Sequence, residues 1–254
     1  MNVLKKNIGQ NLIDELNLYF DSFLDLVFPV FCVDCKTKLK ISDSFVCSNC
    51  FTKIRLLTKK KCRKCSHEIG NFSTTDICNS CHSKRFYFKN CVALIEYNDI
   101  ARTIFHEIKF KKRRNLLMIF DKVMQSKIDA ITHIAQDSTI IPVPMRLGHK
   151  RKRTFNQAEI IAKKIAKITK QNFMELLIKN KSTKQQSLLT QKDRLKNLCG
   201  SFAVKKNKNI KGKRILIIDD VITTGSTLNE CAKELMNAGA REVNCITIAR
   251  SILN

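Results

Sequence analysis

Two groups of residues in this 254-residue chain have the types and spacing to do chemistry. The first is eight cysteines in four C-x-x-C pairs: Cys32/Cys35, Cys47/Cys50, Cys62/Cys65 and Cys78/Cys81. A C-x-x-C turn brings two thiolates onto one tetrahedral ion, and a second such turn completes a four-thiolate site. Gaps of 11, 11 and 12 residues between successive pairs therefore imply two structural Zn2+ ions. Spacing leaves the pairing open: consecutive knuckles would make two zinc ribbons in tandem, and alternate ones a cross-braced unit. Structural disulfides would fit an exported chain, an iron–sulfur cluster would use eight regularly paired ligands oddly, and a thioredoxin-type motif does not repeat four times. His67 and His82 stand beside ligands, but eight cysteines already fill both sites. Cys91, Cys199, Cys231 and Cys245 lack partners at ligand spacing and read as buried small apolar residues.

The second group is the run Ile215-Leu216-Ile217-Ile218-Asp219-Asp220-Val221-Ile222-Thr223-Thr224-Gly225-Ser226-Thr227. An apolar strand delivers two adjacent carboxylates at its C-terminal end, where ligands of open α/β sheets bind. The turn that follows supplies backbone N–H groups, four hydroxyls and a helix N-terminus, a cradle for phosphate. Gly225 lets the backbone approach an anion closely. Asp219 and Asp220 are misplaced for phosphate but suited to sugar hydroxyls or the hydration shell of Mg2+. The residues thus read as a ribose-5-phosphate site. No G-x-x-x-x-G-K-[ST] occurs, so this is not a P-loop.

The elements that must position these groups follow from hydrophobic periodicity. Leu12, Ile13, Leu16, Tyr19, Phe20, Phe23, Leu24 and Val27 recur at helical steps, an amphipathic helix ended by Pro29 and expected to pack on its own chain. Strands are expected at Cys91–Tyr97, Ser138–Val143, Phe173–Ile178, Arg214–Ile218 and Glu242–Ile248. Helices are expected at 99–110, 115–135, Phe155–Thr169 and Thr227–Asn237. Strands alternating with helices argue a parallel sheet with helices on both faces.

The segment from Asp219 to Thr227 resembles the phosphoribosyl pyrophosphate (PRPP) signature of type I phosphoribosyltransferases. The resemblance implies that Thr223, Thr224, Gly225, Ser226 and Thr227, with Val221 and Ile222 leading in, hold the 5′-phosphate, that Asp219 and Asp220 meet the ribose hydroxyls, and that Mg2+ accompanies PRPP. The flanks carry a narrower likeness. Ile141-Pro142-Val143-Pro144, Arg151-Lys152-Arg153-Thr154-Phe155-Asn156-Gln157-Ala158, and Gln186 through Arg194 and Asn197 to Phe202 resemble the ComF family, which includes competence proteins of natural transformation. That likeness implies an α/β fold, a type I phosphoribosyltransferase-like parallel sheet flanked by helices, with a small N-terminal double zinc ribbon. It implies an N-terminal helix at 1–30, the double ribbon at 31–85 and the phosphoribosyltransferase-like domain at 86–254. Pro142, Val143, Pro144 and Arg153 fall where type I enzymes bind pyrophosphate. Thr154 departs from the family, which usually has Gly before Phe-Asn-Gln.

Charge bears on partners. Lys+Arg 47 against Asp+Glu 22 gives +25, with residues 1–82 at +4 and the remainder at +21. Such a balance favours polyanions, although a Lys-rich, Gly-poor chain also suggests compositional bias. The runs Lys111-Lys112-Arg113-Arg114 and Lys150-Arg151-Lys152-Arg153 suit a phosphate backbone. Aromatics are only 7%, with no Trp, which limits stacking on bases. One reading is a PRPP-binding competence protein that handles single-stranded DNA, alongside other competence proteins such as a DNA helicase. Another is an active phosphoribosyltransferase acting on a base or amine, for which no base-recognising or catalytic residue is assignable. A third is a regulator that senses PRPP without turnover. No membrane-spanning run and no secretory signal occur, so cytoplasmic residence is expected.

Overall fold

The computed structural model describes residues 27, 29–40, 45–70, 73–145, 154–179, 200–206 and 208–251. The expected helix over residues 12–27 lies outside them apart from Val27, as do Lys150–Arg153, Gln186–Asn197 and Cys199. The chain divides into two compact units, Met1–Lys53 and Ile54–Asn254. In the first, β1 (Val30–Phe31) pairs antiparallel with β2 (Lys38–Leu39) across the turn that carries Cys32 and Cys35. Cys47 then caps a single helical turn, α1 (Ser48–Phe51). Elements this short bury little apolar surface, so a bound ion must supply much of their folding energy.

The second unit opens with the same device. The Cys32 N–H bonds Thr37 O at 2.9 Å in the first knuckle, and the Cys62 N–H bonds His67 O at 2.8 Å in its counterpart. Lys36 and Ser66, each one residue past the second cysteine of its pair, both adopt left-handed backbone (φ 63° and 57°). Cys78 caps another short helix, α2 (Asn79–His82).

An α/β body follows. Its elements in chain order are β3 (Cys91–Glu96), α3 (Asp99–Phe110), a 3-10 turn at Arg114–Met118, α4 (Ile119–Gln125), α5 (Ile128–Ala135), β4 (Ser138–Pro142), α6 (Gln157–Thr169), β5 (Leu177–Lys179), β6 (Phe202–Val204), β7 (Arg214–Ile222), α7 (Ser226–Asn237) and β8 (Glu242–Arg250). The main sheet has the order β3-β8-β7-β4, with every pairing parallel. Its strands are continuous apolar runs because both faces are covered. Ile215 and Ile217 share a core cluster with Leu228, Cys231 and Leu235 of α7. Leu216 and Ile218, equally buried, alternate to the other face. α6 packs on β4 and β7, and α7 on β7 and β8. The expected parallel sheet flanked by helices is present.

Three elements differ from expectation. The single helix over 115–135 is instead a 3-10 turn and two helices. The chain leaves helical geometry at Lys127 (φ −121°, ψ 20°), just after Ser126 turns its hydroxyl onto Val123 O at 2.8 Å. The strand expected at Phe173–Ile178 makes only one bridge to the sheet, Phe173 with Ile140, and then β5 and β6 form a separate antiparallel hairpin. An apolar run fixes burial (Leu176 0%, Leu177 4% exposed) but not the strand it pairs with. Finally, β7 does not stop at Ile218. Asp219, Val221 and Ile222 stay in register with Thr247, Ala249 and Arg250, so the acidic pair lies inside the strand.

Thr154, where ComF chains usually carry Gly, has φ 67°. A β-branched residue in that region is strained by roughly 1–3 kcal/mol. Thr154→Gly should therefore raise the thermal unfolding midpoint, whereas Thr154→Ala, which keeps a Cβ, should gain less. A lower midpoint for the glycine variant would show that the Thr154 side chain outweighs the strain.

Candidate functional site

The four cysteine pairs resolve into two consecutive sets, Cys32/Cys35/Cys47/Cys50 and Cys62/Cys65/Cys78/Cys81, each with its sulfurs within 4.8 Å of one another. The cross-braced alternative is thereby excluded. Cys35 Sγ lies 3.6 Å from Cys47 Sγ, and Cys65 Sγ 3.6 Å from Cys78 Sγ. A tetrahedral ion with Zn–S bonds of about 2.3 Å needs sulfur–sulfur edges of about 3.8 Å, so both sets fit zinc. Neither His67 nor His82 belongs to a set. Cys91, Cys231 and Cys245 are buried as expected.

The acidic pair is held by groups far away in sequence. Lys109, in the last turn of α3, places Nζ 2.7 Å from Asp220 Oδ2. Its ammonium is itself held charged, burial being offset by the charges of Asp220 and Asp219. Asp219 Oδ1 accepts the Asp220 N–H at 2.9 Å. Burial, and then the neighbouring Asp220 charge, push the Asp219 carboxyl up to about 7, against the opposing pull of that N–H, Lys109 and Lys179. Asp219 is thus partly protonated near neutrality, which eases the repulsion between the two carboxyl groups.

The turn after β7 forms around Gly225, whose φ of 77° caps α7. A Cβ there would lie 3.6–3.9 Å from Ile222, Phe86 and Phe88, ordinary contacts. The glycine answers to the left-handed backbone, and its missing side chain faces aromatic rings. Thr224 Oγ1 and Ser226 Oγ are 2.7 Å apart, and the Ser226 N–H reaches Thr224 Oγ1 at 3.3 Å. α7 has no acidic residue in its first turn, so its positive dipole end is uncompensated there. At the end of β8, the Arg250 guanidinium donates to Thr223 O and to Ser251 O, tying the turn to the neighbouring strand.

Pro142 and Pro144 line a second cavity of about 270 Å3, with Glu175 and Lys205 (paired at 3.0 Å) and with Lys179 of the hairpin. Between the prolines Val143 is buried, and its carbonyl accepts Asn156 Nδ2 at 3.0 Å, while Asn156 Oδ1 caps α6 through the Ala158 N–H. Arg153, expected beside these residues, lies outside the described ones. Lys109 and Arg250 went unnoticed in the sequence. Lys109 ends an amphipathic helix as any exposed lysine might, and Arg250 simply follows an apolar strand.

A family model for a double zinc ribbon domain matches residues 23–82, and one for a phosphoribosyl transferase domain matches residues 154–252. Competence protein F of Haemophilus influenzae is 28% identical over 228 residues, covering 87% of this chain and 96% of that protein. The chain is therefore similar to competence proteins of the ComF type over most of its length. Competence protein ComFC of Bacillus subtilis is 25% identical, covering 87% of this chain and 84% of that protein. DNA utilization protein YhgH of Escherichia coli K12 is 24% identical, covering 89% and 100%. With each of the three the likeness covers most of this chain. Among its described residues no helix is long and apolar enough to cross a membrane.

Two outcomes follow. Metal analysis should find about two zinc ions per chain, and Cys47→Ser should lower that to about one; a parent value near one, or iron, would refute the assignment. Asp219, raised from an ordinary 3.8 to about 7, binds its proton more tightly folded than unfolded. Stability should therefore fall as pH rises from about 4 to 7. Asp219→Asn should raise the unfolding midpoint at pH 8 and much less at pH 5; an equal effect at both would disprove the upward shift.

Proposed function

We propose that this ComF-type chain is a competence protein that binds PRPP, or another ribose-5-phosphate ligand, and handles single-stranded DNA during natural transformation. The observation that carries the ligand is the strand-to-helix turn: an acidic pair inside β7, then a hydroxyl-rich turn at the uncompensated N-terminus of α7. Thr223 to Thr227 hold the 5′-phosphate, while Asp219 and Asp220 accept hydrogen bonds from the ribose hydroxyls. Because Lys109 already neutralises Asp220, Mg2+ fits better as an ion arriving with the pyrophosphate than as a resident one. The cavity at Pro142 and Pro144 would take the pyrophosphate end, with Lys179 in its lining and Lys205 available only on release from Glu175. The names of the relatives support the competence role, and the thiolate-rich metal sets suit a reducing cytoplasm.

The DNA reading rests on a groove of about 430 Å3 along α6, lined by Arg114, Phe155, Lys163, Lys164 and Lys167. Lys163 pairs with Glu159 and Lys164 with Asp121, both at 2.6 Å, so Arg114 and Lys167 carry its uncompensated charge among the described residues. The run at 111–114 is less uniform than its sequence, since Lys111 and Arg113 are spent on Glu107. A second reading is transfer of the phosphoribosyl group to a base or amine, the activity of the phosphoribosyl transferase domain that residues 154–252 match. PRPP consumption with and without candidate acceptors separates the two.

Calorimetric titration tests the ligand. Asp219→Asn with Asp220→Asn should weaken PRPP by about 1–3 kcal/mol, the range for hydrogen bonds to charged groups, while sparing inorganic phosphate more. Gly225→Val, strained at its φ, should lose both ligands at normal zinc content; parent-like PRPP binding by this variant would reject the site. Single-strand affinity should fall steeply with salt, and Arg114→Ala with Lys167→Ala should lower the log–log slope by about 0.7 per phosphate contact. An unchanged slope would remove the α6 groove from the DNA path.

A further inference from the structure

The segment between the second cysteine set and β3 belongs neither to the metal site nor to the sheet. It reads Lys84-Arg85-Phe86-Tyr87-Phe88 and lies against the turn before α7. A cavity of about 190 Å3 has Lys84, Arg85 and Phe86 on one side and Thr224, Gly225 and Ser226 on the other. Phe86 and Phe88 supply the rings that face Gly225.

This arm is anchored at three points. The Lys84 N–H bonds the carbonyl of Cys81, itself in the second cysteine set, at 3.1 Å. Asn229 of α7 accepts the Tyr87 N–H at 2.7 Å and donates its Nδ2 to Arg85 O at 3.0 Å. Lys64, inside the Cys62–Cys65 turn, donates Nζ to Phe88 O at 2.7 Å and to Lys89 O at 3.0 Å, and lies 5.8 and 5.7 Å from the Phe86 and Phe88 ring centroids. Every one of these bonds uses arm backbone, which leaves the Lys84 and Arg85 side chains to other work. Among the described residues neither is paired with a carboxylate, and Arg85 lies 5.2 Å from the Tyr87 ring.

We propose that Lys84 and Arg85 are phosphate-binding residues of the Thr223–Thr227 turn, supplied by the ribbon and held in place by its second cysteine set. Backbone N–H groups and a helix dipole receive almost any anion. Two exposed cations lining the same cavity favour the doubly charged terminal phosphate of a sugar phosphate, through charge-assisted hydrogen bonds. This inference rests on the ribose-5-phosphate reading above and adds a subsite to it.

The test titrates ribose 5-phosphate and inorganic phosphate into the full chain, with zinc content and folding checked for each variant. Lys84→Ala with Arg85→Ala should weaken ribose 5-phosphate by about tenfold or more. Asn229→Ala, which frees the arm but keeps its charge, should weaken it by less. Lys211→Ala with Lys213→Ala removes two exposed charges at the opposite end of β7 and should change affinity less than twofold. A zinc-loaded, folded parent that binds neither ligand overturns the ribose-5-phosphate reading, and this inference with it. A parent that binds, with the Lys84/Arg85 variant binding equally well, overturns the arm alone. Equal losses from the Lys84/Arg85 and Lys211/Lys213 variants would also overturn it, by showing only an effect of net charge.

Discussion

Placing two adjacent carboxylates inside a buried parallel strand is the constraint around which the ligand half of this molecule is arranged. Two like charges so close, partly removed from water, cannot both ionise freely. The fold answers from two directions: α3 brings the Lys109 ammonium onto Asp220, and the backbone of Asp220 itself donates to Asp219. What remains is an acceptor-rich strand end with little net charge, which suits uncharged hydroxyls. The following turn has the opposite character, with donors and a helix dipole that attract anions. In the proposed site the division between sugar and phosphate would thus be an electrostatic one along nine residues of chain.

The second metal-binding set is built into the same unit as the sheet. Cys91, the first residue of β3, donates its N–H to Arg63 O at 2.7 Å, and its carbonyl accepts the Ser66 hydroxyl at 2.8 Å. That hydroxyl also receives the Ala93 N–H at 2.8 Å. Residues of one cysteine turn therefore complete the hydrogen bonding at the start of an edge strand. Loss of this ion would be felt in β3, whose partner β8 carries Arg250 and hence the Thr223 turn.

How much of this was legible in the sequence depends on the range of each interaction. The cysteine sets were readable because a C-x-x-C turn is a local device, and only their grouping needed three dimensions. The parallel sheet was readable from the unbroken apolar runs at Ile215–Ile218 and Val243–Ile248, and the ligand turn from Asp219 to Thr227. Extension of β7 to Ile222 was not, because the register with β8 overrides the appearance of charge. Nor was the β5–β6 hairpin, since burial does not name a partner strand. Lys109, Arg250 and the anchoring of the arm by Lys64 and Asn229 were invisible for a common reason. Their partners lie from 24 to 144 residues away, and each looks like an ordinary surface residue in its own element.

The two cysteine knuckles share a pattern down to the left-handed residue that follows their second cysteine, yet their sulfurs are shielded very differently. Cys35 is exposed and Cys47 partly so, whereas Cys62, Cys65, Cys78 and Cys81 are all buried. Chelators and oxidants attack thiolates they can reach. The set nearer the N-terminus is therefore the more open of the two to such attack, through Cys35 and Cys47. An oxidant would meet Cys35 and Cys47 before any sulfur of the second set, so two sets alike in spacing differ in how readily they would give up a metal.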